Sequence, residues 1–161
     1  MKLHIDVVTI FPEMYPGPLG HSILGRAVKN GLLSIDAVDL RAFAHDERGT
    51  VDDKPYGGGP GMLMKVEPLC EAVESLRREH STLVMTSPRG ERFTQRVARE
   101  LAASEHLIIV CGHYEGVDER VREILALREL SIGDYILTSG NLAAMVMIDA
   151  VARLLPGVLG S

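Results

Sequence analysis

The sequence predicts an α/β fold with a mainly parallel sheet flanked by helices. Three observations lead there. Short strand-like runs alternate along the chain with stretches of helical spacing, the pattern of repeated strand–helix units. The run Leu107–Cys111 (LIIVC) is apolar throughout, as a central parallel strand covered on both faces should be. With 161 residues, 46% of them hydrophobic, there is room for one domain with a real core.

Taken in order, Leu3–Ile10 (LHIDVVTI) reads as a buried strand and ends in Phe11-Pro12. No Gly-x-Gly-x-x-Gly follows, which excludes the usual Rossmann fingerprint. His21–Asn30 reads as a helix with Ser22 as N-cap, closed by Gly31. Its Arg26 and Lys29 suit either a solvated face or phosphate contacts. Ser34–Leu40 alternates polar and apolar like a half-buried strand. Arg41–Gly61 has little periodicity; it holds His45, Asp46, Arg48, Asp52, Asp53, Lys54 and Tyr56, then Gly57-Gly58-Gly59-Pro60-Gly61. A segment this long is either a flexible surface loop or a functional one. Its glycines would let the backbone approach a ligand closely, but the Gly-Lys-Ser/Thr of a Walker A loop is missing.

Val66–His80 follows as a helix with Pro68 in its first turn and an apolar stripe of Leu69, Ala72, Val73 and Leu76. Thr82–Thr86 is a strand ended by Ser87-Pro88-Arg89-Gly90, Thr94–Ala103 a helix, and Asp118–Leu127 a helix with acids in its first turn. The last stretch, Ser131–Gly160, starts strand-like, breaks at Gly133-Asp134 and resumes at Tyr135–Leu137. It then turns through Thr138–Asn141 into a helix capped by Asn141 and stopped by Pro156-Gly157. Asp149 and Arg153 stand at i, i+4, the spacing of a helix-surface ion pair.

The net charge of −5 argues against a free-standing nucleic-acid binder but leaves room for a local basic patch. There is no signal-peptide pattern, and Asp149 and Arg153 interrupt the longest apolar run, so a cytoplasmic protein without a membrane span is expected. Cys70 and Cys111 read as reduced thiols. No His-x-x-x-His or Cys-x-x-Cys pair is present, so no zinc site is expected. Open α/β sheets bind ligands at the carboxyl ends of their strands. Those ends present Ser87-Pro88, Gly112–Gly116 and Ile132–Leu137, the rim of one crevice suited to a nucleotide or nucleoside. For Glu115 and Asp118 the start of a helix is an equally good reason for acids.

Four stretches carry a more specific message: GRAVKNGLLSI (Gly25–Ile35), TVDDKPYGGGPGMLM (Thr50–Met64), LIIVCGHYEGVDERV (Leu107–Val121) and SIGDYILTSGNLAAMVMIDAVARLLPGVLG (Ser131–Gly160). In this order they resemble the bacterial tRNA (guanine-N1-)-methyltransferase family, TrmD, of the SPOUT superfamily. The resemblance implies an α/β trefoil knot and a homodimer with active sites at the subunit interface. It implies methyl transfer from S-adenosylmethionine to N1 of the guanine just 3′ of the tRNA anticodon.

The resemblance assigns the cofactor to Met85, Ser87, Pro88, Gly112, Tyr114, Glu115, Gly116, Ser131–Leu137, Ser139 and Gly140. In that last run these are Ser131, Ile132, Gly133, Asp134, Tyr135, Ile136 and Leu137. It assigns tRNA contacts to Asp52, Lys54, Tyr56, Gly57, Gly58, Gly59, Pro60 and Glu115, and a catalytic role to Arg153. Mg2+ enters only through the resemblance, with no protein site for it.

Guanine N1 is protonated near neutral pH, so transfer needs a base and help for charge growing on O6; by the resemblance, Arg153 would supply the second. The family's base is an aspartate in a linker after PGVLG that leads to a C-terminal tRNA-binding domain. This chain is therefore expected to bind cofactor without the full catalytic apparatus.

Two positions depart from the family's Gly-Gly-Glu: Ser139 puts a Cβ where positive φ is expected, and Asn141 removes a carboxylate. Ala143 stands where proline is common. An alternative reading is a dimeric cofactor- or RNA-binding module without activity. A phosphate-binding hydrolase lacks the metal cluster or nucleophile pair it would need.

Overall fold

Alternation of side chains across the first strand divides the molecule into two cores. In the computed structural model, which describes residues 2–54, 58, 61–113 and 116–160, β1 spans Leu3–Thr9. Its Leu3, Ile5 and Val7 join the core on one face of the sheet, while Val8 joins the core on the other. α1 (Ser22–Lys29) returns the chain to β2 (Leu33–Asp39), which pairs with β1 in parallel register. Ser22 is not the cap: His21 holds that position without a side-chain bond, and Ser22 opens the helix at φ 54°. Gly31 follows the helix at φ 76°.

The segment after β2 has more structure than its composition suggests. Leu40–Phe43 form a 3-10 turn, and β3 (Asp52–Asp53) pairs antiparallel with β4 (Leu63–Met64). Val51 and Met64 anchor this ribbon because both are fully buried in the second core. α2 (Val66–Leu76) stops one turn before the sequence suggests, at Arg77 in extended conformation. Its Leu69, Ala72 and Val73 are buried as the stripe predicts.

β5 (Ser81–Arg92) and β6 (His106–Val110), joined by α3 (Gln95–Ala102), complete the middle of the sheet. Thr94 caps α3 by accepting the Val97 N–H at 3.3 Å. α4 (Glu119–Leu125) is capped by Asp118, whose carboxylate accepts the Arg120 N–H at 2.9 Å. β7 (Arg128–Ser131) closes the order β2-β1-β6-β5-β7, parallel throughout.

α5 (Asn141–Ala152) packs with α1 and α3 on the first core, burying Ala144, Ile148 and Val151. The other face of the sheet is covered by α2 and α4 through Leu69, Val73, Val121 and Leu125. No helix among the described residues is long and apolar enough to cross a membrane.

Three expectations for the last segment need correction. Tyr135–Leu137 is not a strand but an exposed, irregular passage, because it has no neighbouring strand to pair with. Gly140, not Asn141, is the N-cap of α5. Asp149 and Arg153 are both exposed and form no ion pair among the described residues; only the helical Arg153 N–H to Asp149 O bond, at 3.4 Å, links them.

Candidate functional site

Thr86 of β5, Gly112 just past β6 and Gly140 just before α5 come together in close contact. Thr86 Oγ1 accepts the Gly112 N–H at 2.8 Å, and Gly112 O accepts the Gly140 N–H at 2.7 Å. The three segments approach so closely that a Cβ on Gly140 would collide with Thr86 Oγ1 and lie 2.7 Å from Gly112 N. Only glycine fits there. Beside it the pairing of β5 with β7 slips, Leu130 facing both Thr86 and Glu91, so that Ser87–Gly90 bulge out of the ladder. A Cβ on Gly90 would come within 2.5 Å of Glu129 C, which is how tightly the bulge closes on β7.

The result is a cleft of about 200 Å³. Met85, Ser87, Pro88, Gly112 and Gly116 line it. So do Ser131, Ile132, Gly133, Tyr135, Ile136, Leu137, Ser139 and Gly140. Asp134 sits in the same loop but not on the wall. Tyr114 and Glu115 lie outside the described residues, as do Tyr56, Gly57, Gly59 and Pro60 of the glycine-rich stretch. Asp52 and Lys54 belong to the β3 edge and its exit, away from the wall, and Gly58 is exposed at φ 92°. Arg153 is exposed at the end of α5 and does not reach its own chain's cleft.

The loop that forms the outer wall is folded on itself. Ser131 Oγ donates to Gly133 O at 2.9 Å, and Tyr135 OH donates to Ile132 O at 3.4 Å. Ile136 is left 86% exposed at the rim. Ser139 does not take a positive φ; among the described residues only Ser22 and Ala126 do so without being glycine. Its hydroxyl instead accepts the Asn141 side-chain N–H at 3.1 Å. Asn141 is fully buried, and its Oδ1 accepts from Thr9 Oγ1 at 2.7 Å and Tyr15 OH at 3.1 Å. Asn141 is thus a neutral hub tying α5 to the end of β1. Burial raises the Tyr15 hydroxyl far above its ordinary range and pushes the neighbouring Cys111 thiol up to about 12.

Sequence reasoning missed several wall residues, Thr86, Arg89, Arg122, Glu129 and Thr138, while His113 falls within the Gly112–Gly116 rim it expected. Arg122 Nη2 donates to Glu129 at 3.0 Å, while its buried Nε meets no acceptor among the described residues. His113 stacks edge-on to Phe11, ring centres 5.7 Å apart. Burial and then Arg41 hold its imidazole below the usual range, which favours the neutral form. Thr86 was the accessible one of these, as the last residue of a predicted strand. Arg122 and Glu129 come together only through the β5–β7 pairing.

A family model described as tRNA (Guanine-1)-methyltransferase TrmD matches residues 3–161. This chain belongs to that family. It is 59% identical to the tRNA (guanine-N(1)-)-methyltransferase of Dehalococcoides mccartyi strain CBDB1 over 99% of this chain and 65% of the relative. It is 56% identical to the enzyme of that name from Carboxydothermus hydrogenoformans over 98% of this chain and 62% of the relative. The Geobacter sulfurreducens relative is 54% identical over 99% of this chain. The chain therefore spans 62–66% of the length of these TrmD relatives.

Proposed function

We propose that this chain is the methyl-donor-binding part of a tRNA (guanine-N1)-methyltransferase, with S-adenosylmethionine held in the cleft at the strand carboxyl ends. The observation that carries the reading is the meeting of Thr86, Gly112 and Gly140 beside a cleft that Ser131–Gly133 and Tyr135–Leu137 also line. The cleft suits the group. Met85, Leu130, Ile132 and Ala143 offer apolar surface for a purine, and the buried Arg122 Nε, without an acceptor among the described residues, offers a donor to a carboxylate. S-adenosylmethionine supplies an electrophilic methyl on a sulfonium sulfur; the protein's residues orient it and handle the proton of guanine N1.

The carboxylate among the described wall residues is Glu129, and it is engaged by Arg122 at 3.0 Å. Held by the Arg122 guanidinium, Glu129 serves to position that side chain rather than to take the N1 proton. The reading therefore separates binding, which these residues supply, from proton abstraction, which they do not. Arg153 would act on O6 in a second subunit's cleft. The exposed Leu142 and Val146, one turn apart on α5, and the exposed Ile136 favour a homodimer built on that face. The trefoil knot, the tRNA contacts of Asp52, Lys54, Tyr56, Gly57–Pro60 and Glu115, and any Mg2+ requirement belong to the same reading.

The test is a single-turnover assay with protein in excess over a tRNA carrying the target guanine, beside the full-length Dehalococcoides relative. Loss of a general base costs about 10²–10⁴ in rate, so this chain should bind donor and transfer methyl slower by at least that factor. Comparable rates would place the base within this chain and overturn the division of roles.

A further inference from the structure

The opposite end of the sheet carries a polar cluster that methyl transfer leaves unused. Parallel register places Ser34, His4, His106 and Ser81 in one row across β2, β1, β6 and β5. One step further along, Asp36 and Asp6 pair on the same face. Beyond them this face is apolar, through Val8, Ile108 and Val110. Both imidazoles turn Nε2 to the Asp6 carboxylate: His106 Nε2 lies 2.7 Å from one oxygen and His4 Nε2 3.1 Å from the other. Asp36 reaches His4 Nε2 at 3.3 Å. The side chains of His106 and Asp6 are 2% and 7% exposed, that of Asp36 65%, so the cluster opens to solvent on the β2 side.

The outer ring nitrogens are held as well. His106 Nδ1 meets Ser81 Oγ at 2.6 Å, and Ser81 Oγ also accepts the Arg78 N–H at 2.7 Å. His4 Nδ1 meets Ser34 Oγ. A serine hydroxyl either donates to a bare ring nitrogen or accepts from a protonated one. Each ring is thus fixed while its Nε2 is free to present a proton or a lone pair to the centre.

We propose that His4, Asp6 and His106 bind one divalent transition-metal ion of the zinc type, with Asp36 at the open side. Two imidazoles and a carboxylate are a borderline donor set that suits such an ion. One ligand atom from each residue lies within 4.8 Å of the others. Metal–ligand bonds of about 2.0–2.2 Å in a tetrahedron separate neighbouring donors by about 3.3–3.6 Å. The His4–Asp6 and His4–Asp36 spacings are near that already, and the His106–Asp6 pair, at 2.7 Å, needs to open by about 0.6–0.9 Å. Partners on the far ring nitrogens are what metal-binding histidines use to fix orientation. Ligands drawn from positions 4, 6 and 106 form no short motif, which is why the absence of His-x-x-x-His said nothing about this site. The ion would clamp β1 to β6 at the end of the sheet remote from the cleft.

The test strips the tag-free chain with a chelator and titrates it with Zn2+ and, separately, Co2+. The expected result is one saturable equivalent per chain, with Co2+ bands of a tetrahedral nitrogen–oxygen site and no thiolate charge-transfer band. At a hundredfold excess over Kd, folding is favoured about a hundredfold more, a rise in melting temperature of about 5–10 °C. His106→Gln removes a buried ligand and could unfold the chain. His4→Gln, at the more exposed ligand, is therefore the second variant and should weaken binding at least tenfold with the fold retained. No saturable binding by the folded chain would overturn the proposal and leave the cluster as a hydrogen-bonded network. So would binding undiminished in His4→Gln, or sulfur bands assigning the ion to Cys70 or Cys111.

Discussion

The two ends of one parallel sheet solve opposite problems. At the carboxyl ends of β5, β6 and β7 the contacts are made mostly by backbone, at Gly112 and Gly140, with Thr86 Oγ1 as a side-chain acceptor, and the glycines let the segments close on each other. At the amino ends of β2, β1, β6 and β5 the contacts are made by side chains in register, Ser34, His4, His106 and Ser81. A backbone-built site tolerates no added atom but is indifferent to most side-chain chemistry. A side-chain-built site tolerates changes of shape but not of donor and acceptor. Function at the first end should therefore fail on steric change, and at the second on chemical change.

The largest expected effect follows from the first half of that contrast. Gly140→Val would drive a branched Cβ into Thr86 Oγ1 and the Gly112 backbone. Overpacking of this kind costs about 1–3 kcal/mol or more. The expected outcome is loss of S-adenosylhomocysteine binding with a lowered but cooperative melt, read by calorimetry and circular dichroism. Retention of affinity would mean that the close approach at Gly140 does not shape the cleft.

A middle-sized effect is expected at Asn141, where the carboxyl end borrows the chemistry of the other. Asn141→Ala leaves the buried Thr9 and Tyr15 hydroxyls without their acceptor. An unsatisfied buried group costs about 1–3 kcal/mol, which at this chain length lowers the melting temperature by about 2–4 °C per kcal/mol. A melt unchanged from the parent would show that the hub holds nothing together. The smallest effect concerns Cys111. Its thiol, pushed up to about 12 by burial, should resist alkylation in the native chain at pH 8 and react only on unfolding, by mass spectrometry. Rapid native labelling would contradict the packing around Tyr15.

Much of the fold was legible because period and punctuation agreed. The apolar Leu107–Cys111 run became the central β6, and the alternation of strands and helices became the parallel sheet. The cleft was legible in outline for the same reason: strand ends are where turns fall. What escaped was whatever depends on distant pairing. Asn141 read as a cap because asparagine favours that position, yet tertiary partners drew its side chain into the core. Tyr135–Leu137 has strand composition but no neighbour to pair with. Asp6 lies inside the predicted Leu3–Ile10 strand and His106 just before the Leu107–Cys111 run; only the β1–β6 register makes them neighbours on one face.

The most direct test of the contrast between the two ends is a titration of the 15N-labelled chain with S-adenosylhomocysteine. The account requires one saturable site. Amide shifts should concentrate at Gly112, Gly133 and Gly140, and those of His4, Ser34 and Ser81 should stay in place. No saturable change in a folded chain, or shifts centred on the amino ends of the strands, would contradict it.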